Sequence, residues 1–235
     1  MGSTKRFSRK LLLIVVILAC FVCGCAQTNQ NSNIHNTLKK PVIVYKIKLI
    51  DNKPCISINV ENLKPPFTVS LLGPDKRTID FKYVEYTKDL PAVLYFGISS
   101  NIRPGTYYIR LEKFGNLIEE KTLNLKGSKV SIVSCKFNFK NESFIGYELK
   151  SITLKLKGTG DCPAFPYWVD LKINGNDYSG ILENYNTPTL PGKVQTYTST
   201  NIVCYLKKGR YEAKVIVKGF DGFVLGKKVE EVTVS

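Results

Sequence analysis

One histidine, one tryptophan and only 19 acidic residues against 34 basic ones are the shortages that stand out in this 235-residue chain. With His35 alone to serve, enzymes built on several histidines as bases or metal ligands are argued against at once. There is no G-x-S-x-G elbow, no Walker loop and no H-E-x-x-H, and the one C-x-x-C spacing, Cys20-Phe21-Val22-Cys23, lies near the N-terminus. From Pro41 onward no segment carries a convincing helical period. No block of five like charges occurs, so the basic excess does not read as a nucleic-acid-binding tail.

What is there describes a folded, exported chain. A hydrophobic fraction of 43% and a charged fraction of 23% exclude wholesale disorder, a collagen-like repeat and a multi-span membrane protein. The length allows one large domain or two of about 100 residues each. Lys5, Arg6, Arg9 and Lys10 precede an apolar run from Leu11 to Val22, which the small residues Cys23, Gly24 and Cys25 close. A charged start, a short apolar stretch and a small-residue exit make a secretory signal peptide over residues 1–24. The run falls short of the roughly 20 residues that a spanning helix needs, so retention as an uncleaved anchor is the lesser alternative.

The exit Val22-Cys23-Gly24-Cys25 resembles the lipobox of secreted lipoproteins, where a small residue precedes a cysteine that is lipidated and becomes the new N-terminus. The resemblance implies lipid attachment at Cys25. Cys20, after Ile17-Leu18-Ala19, is the alternative, and Cys25 is preferred because a polar tether begins directly behind it. Loss of the four basic residues in 1–24 takes the net charge from +15 to +11. Residues 25–40, rich in Asn, Gln, Ser and Thr, read as a flexible stalk. His35 lies in that stalk, with no Cys or acidic neighbour at metal-ligand spacing.

Beyond the stalk, short runs of β-branched and aromatic residues alternate with Pro, Gly and Asn turn signals. Strands are expected at 42–50, 55–60, 67–72, 78–86, 92–98, 106–111 and 117–125. A second set is expected at 130–139, 147–157, 167–173, 178–182, 194–206, 211–218 and 223–234. Seven strands in each half point to an all-β chain of two tandem immunoglobulin-like sandwiches, over residues 41–127 and 128–235. The halves also end alike, as Gly105-Thr106-Tyr107 and Gly209-Arg210-Tyr211 each lead into an alternating strand and a hairpin. The shared tyrosine is a candidate corner residue whose hydroxyl satisfies nearby backbone.

Gly158-Thr159-Gly160-Asp161-Cys162-Pro163-Ala164, Tyr167-Trp168-Val169-Asp170, Leu190-Pro191-Gly192 and Lys208-Gly209-Arg210-Tyr211 together resemble the CARDB family, over roughly residues 129–235. These are Ig-like modules associated with cell adhesion in secreted archaeal and bacterial surface proteins. The family usually carries Asn where Gly158 stands here. The resemblance implies a surface binding or spacing module without enzymatic activity. The first half resembles Ig-like modules only in general.

Within Tyr167–Ile173 the odd positions are apolar, which places Tyr167 on the core side with Val169 and Leu171. Trp168 then shares the wet face with Asp170 and Lys172. Trp168 is either covered by the first domain or a neighbouring strand, or is an exposed anchor for a partner with Phe165 beside it. Glu119-Glu120 and Glu230-Glu231 are adjacent on strands and so point to opposite faces, which reads as solvated acids rather than a glycosidase pair. Asn174-Gly175-Asn176-Asp177 has oxygen donors for a calcium ion, but a hairpin turn explains it better. Cys55, Cys135, Cys162 and Cys204 are disulfide candidates in an exported chain, either as two bridges or as one within the second half. Asn141-Glu142-Ser143 is a glycosylation sequon expected on a loop.

The sequence thus reads as a lipid-anchored surface protein that binds or spaces, with no cofactor, no metal and no nucleic-acid partner. Its expected partners are the membrane, through the anchor, and an envelope protein or glycan. The alternatives are a carbohydrate-active or other hydrolytic enzyme, and a structural subunit of an envelope or secretion complex.

Overall fold

The computed structural model describes residues 39–97, 100–142, 144 and 146–235. The signal peptide, Cys20, Cys25 and His35 lie outside the described residues. In the first half the strands are β1 (Val42–Ile50), β2 (Lys53–Glu61), β3 (Phe67–Leu72), β4 (Thr78–Val84), β5 (Ala92–Tyr95), β6 (Gly105–Lys113) and β7 (Asn116–Leu125). They pair antiparallel into a three-stranded sheet, β1-β2-β5, and a four-stranded sheet, β4-β3-β6-β7. Alternation in the sequence supplies the core. Ile56 and Ile58 of β2 meet Val69 and Leu71 of β3 and Ile109 and Leu111 of β6, all fully buried. Each such side chain contributes about 1.5–3 kcal/mol of transfer free energy.

The second half repeats the plan with β8 (Val130–Glu142), β9 (Gly146–Gly158), β10 (Trp168–Ile173), β11 (Asn176–Ile181), β12 (Val194–Ser199), β13 (Tyr205–Leu206), β14 (Gly209–Lys218) and β15 (Val224–Val234). β9 pairs with β8, β12 and β13, and the facing sheet runs β11-β10-β14-β15. Ile152, Leu154 and Leu156 of β9 pack with Val169, Leu171 and Ile173 of β10 and with Val215 and Val217 of β14. Apart from one 3-10 turn at Thr87–Asp89, the regular structure of the described residues is therefore all β, built as two sandwiches.

Three hairpins close with two-residue turns, at Asp51-Asn52, Phe114-Gly115 and Asn174-Gly175, and all six residues have positive φ. That backbone matches the right-handed twist of paired strands, and Asn-Gly adopts it with least strain. Asn174-Gly175 is thus a hairpin turn. The two corner tyrosines act alike. The Tyr107 hydroxyl donates to the Arg103 carbonyl at 3.0 Å and the Tyr211 hydroxyl to the Lys207 carbonyl at 2.8 Å.

Four expectations need correction. The strand expected over 194–206 is two, β12 and β13. Asn201 Oδ1 accepts from the Ile181 N–H and the Ser199 hydroxyl, both at 2.9 Å, which turns the chain and drops Ile202 and Cys204 into the core. Tyr167 is not a core residue. It lies half-buried one residue before β10, outside the core of its sandwich. Asn141 is exposed within β8, opposite Tyr147, rather than on a loop. Its sequon partner Ser143 is outside the described residues.

The disulfide expectation also fails, because all four cysteines are free thiols. Bridging needs Cβ atoms about 3.5–4.5 Å apart, and each cysteine keeps different company. The Cys55 thiol donates to the Lys48 carbonyl at 3.5 Å, and the Cys162 thiol to Asp161 Oδ1 at 3.4 Å. Cys204 is hydrogen-bonded to the Tyr178 hydroxyl, and Cys135 lies beside Glu230 and Lys228.

Candidate functional site

The seam between the two sandwiches is hydrogen-bonded on both sides. Residues 126–129 connect β7 to β8, and the loop from Asp161 to Tyr167 lies against them. Asp161 accepts from the backbone N–H groups of Lys126 and Gly127, each at 2.9 Å. Ser128 is buried; its hydroxyl donates to the Pro163 carbonyl at 2.6 Å and accepts from the Ile102 N–H at 2.9 Å. Asn101, also buried, accepts from the Phe165 N–H at 2.8 Å and donates to its carbonyl at 3.1 Å.

Cys162 goes further and packs into the core of the first sandwich, although its chain neighbours belong to the second. Burial pushes its thiol pKa well up, helped by the negative charge of Asp161. It is an inert packing group rather than a nucleophile. Such close backbone approach requires small residues, since a Cβ at Gly160 would collide with the Gly127 carbonyl oxygen.

Beside this seam lies a groove of about 600 Å³. Asn52, at the β1–β2 turn, and Ser100 and Asn101, ahead of β6, contribute from the first sandwich. Phe165, Tyr167, Tyr185, Asn186, Phe220 and Asp221 contribute from the second. Tyr167 is the hub of its rings. It meets Tyr185 at 4.8 Å between centroids, Phe220 at 5.0 Å and Trp168 at 5.0 Å, with the last two edge-on. Backbone bonds set its position, as the Tyr167 N–H donates to the Lys218 carbonyl and its carbonyl accepts from Leu182, both at 2.8 Å. Phe220 is 75% exposed and Tyr185 41%, so the cluster presents a wet aromatic surface.

The two binding candidates fare differently. Trp168 is half-buried on the opposite face of β10 from Val169 and Leu171, and it backs Tyr167 rather than lining the groove. Phe165 is 8% exposed and clamped by Asn101, so it forms part of the groove wall and is not a protruding anchor. Tyr185 and Phe220 escaped the sequence reading. Their signal was a large ring inside a turn of Asn, Gly and Asp, in Asn184-Tyr185-Asn186 and Gly219-Phe220-Asp221.

No family model matches the sequence, and no curated protein does. Among solved structures, a two-domain fibronectin type III segment of chicken tenascin overlaps 81% of this chain and 98% of its own, at 12% identity and a TM-score of 0.33. The chicken interferon gamma receptor alpha chain overlaps 84% and 98%, at 10% identity and a TM-score of 0.26. The BSP domain of a biofilm-associated protein overlaps 83% of this chain and 29% of its own, at 18% identity and a TM-score of 0.28. The sheet order, not these overlaps, defines the fold.

The adjacent carboxylates are each matched to a base. Glu119 pairs with Lys40 at 2.9 Å, Glu120 with Arg110 at 2.9 Å, Glu230 with Lys228 at 2.6 Å and Glu231 with Arg210 at 3.8 Å. Among the described residues no group of three or more His, Cys, Asp or Glu side chains is placed to hold a metal ion.

Proposed function

We propose that this chain is a lipid-anchored surface protein whose two sandwiches form one binding module, without catalysis, and that the groove beside the seam is its ligand site. The observation that carries this reading is the ring cluster around Tyr167, held on backbone hydrogen bonds next to a seam in which Asn101, Ser128 and Asp161 join the two halves. Exposed aromatics in a fixed setting are what binding hot spots are made of, because little entropy is lost when they are covered. The lipobox resemblance supports attachment at Cys25. The CARDB resemblance supports a surface binding or spacing role.

The test has two arms. Intact mass of the native protein is expected to show residues 1–24 removed and a lipid on Cys25, and Cys25→Ser is expected to release the protein from membranes or block its processing. In the second arm, binding of the full-length protein to cell-envelope fractions is measured by co-sedimentation. The double variant Tyr185→Ala/Phe220→Ala is expected to abolish that binding with its thermal midpoint unchanged. Undiminished binding by the double variant overturns the groove as the ligand site.

A further inference from the structure

The lining of the groove restricts the chemistry of what it can hold. Neither Lys nor Arg lines it among the described residues, which disfavours a phosphate, sulfate or carboxylate ligand. The carboxylate among its described lining residues, Asp221, accepts from the Phe223 N–H of its own turn at 3.2 Å. A cation would therefore have to share an acid already engaged by backbone. A purely apolar ligand would strip water from Asn52, Asn186 and Ser100 without replacing it. What remains is a neutral ligand that combines apolar faces with hydrogen-bonding groups.

We infer that the groove takes a carbohydrate, whose pyranose ring lies on the faces that Tyr185 and Phe220 leave open while its hydroxyls bond to the side chains of Asn52 and Asn186. This rests on the groove being the ligand site proposed above. The negative face of an aromatic ring attracts the weakly positive C–H bonds that a pyranose presents on its flatter side. A carboxamide both donates and accepts, as a sugar hydroxyl does, so Asn is suited to the rim of such a site. Tyr185 and Phe220 meet Tyr167 at 57° and 87° between ring planes, so neither stacks flat on it. The volume of about 600 Å³ lies within the roughly 300–1,000 Å³ typical of small-ligand clefts.

The full-length protein, purified in detergent, is applied to a printed array of defined neutral and acidic oligosaccharides. The strongest hit is then titrated by following Trp168 emission, since that indole touches Tyr167. A neutral oligosaccharide is expected to bind. Tyr185→Ala and Phe220→Ala are each expected to weaken it about tenfold or more, and Asn186→Ala about fivefold. Phe81→Ala, which removes a 65% exposed ring elsewhere, is expected to leave affinity unchanged. No binding to any oligosaccharide, or binding that both ring variants retain, overturns the inference. If the ring variants lose envelope binding while no oligosaccharide binds, the carbohydrate inference falls and the groove stands as a site for something else. If the ring variants also keep full envelope binding, both fall.

Discussion

Asn101 and Phe165, 64 positions apart, form a closed pair in which one side-chain amide meets both the N–H and the carbonyl of one backbone residue. The amide imitates the edge of a neighbouring strand by donating to the carbonyl and accepting from the N–H of one residue. Asn101→Ala removes both bonds and leaves the Phe165 backbone groups in a buried setting. The expected cost is about 2–4 kcal/mol in urea denaturation. A loss under 0.5 kcal/mol would mean that water replaces the amide freely.

Two glycines separate crowding from backbone strain. A Cβ at Gly160 meets the Gly127 carbonyl, whereas Gly175 has open space around it but sits at φ +77°. Gly160→Ala is expected to cost more than about 2 kcal/mol, because backbone must move on both sides of the seam. Gly175→Ala is expected to cost only about 1 kcal/mol, the penalty of a left-handed alanine. Equal losses in denaturant titrations of the two variants would show that the seam yields.

The corner tyrosines offer a matched comparison. Tyr107 is 5% exposed and its ring also packs edge-on against Phe96 at 5.5 Å, while Tyr211 is half-buried. Tyr→Phe removes only the hydroxyl. The expected cost is about 1–1.5 kcal/mol at Tyr107 and about 0.5 kcal/mol at Tyr211, since water reaches the freed Lys207 carbonyl more easily. Thermal midpoints of the two variants give the order, and a larger drop at Tyr211 would contradict it.

The cysteines make a pH-dependent prediction. Burial, with Glu230 adding to it and Lys228 opposing, raises the Cys135 thiol from 9.0 to about 11. Burial raises Cys55, Cys162 and Cys204 as well. The fold therefore favours the protonated thiols. Their contribution to stability is complete below pH 9 and is lost as pH rises, through about 11 for Cys135. At pH 8 a thiol reagent is expected to label the native protein slowly, at Cys135 first because the other three are buried. Denaturant is expected to release all four, and intact mass without reductant checks that none was bridged.

Residues 129–235 expressed alone test how far the second sandwich is self-sufficient. It has its own core, but Cys162 and the Asp161 carboxylate lose the partners they hold at the seam. The fragment is expected to unfold cooperatively, at a midpoint below that of the intact protein. An insoluble fragment would show that the second core does not stand without the first.

Much of this molecule is legible in its residues taken locally. The period-2 alternation in Ile152–Leu156 and Val169–Ile173 specifies which side chains are buried, because a strand turns successive side chains to opposite faces. Asn174-Gly175 specifies its hairpin, and a glycine two residues before a tyrosine marks both corners, since each is settled within a few positions of chain. The seam and the groove are of another kind. Nothing near Cys162 says that it belongs to the other core, nothing in the run from Val194 to Leu206 announces the break at Asn201, and Tyr167 obeys the alternation yet lies beyond the end of its core. Tyr185 and Phe220 come from turns whose local sequence requires only that they leave the sheet. Short-range sterics and alternation act within a strand or a turn and can be read there. The partners of a loop are set by how two sandwiches close on each other, and only the tertiary structure decides that.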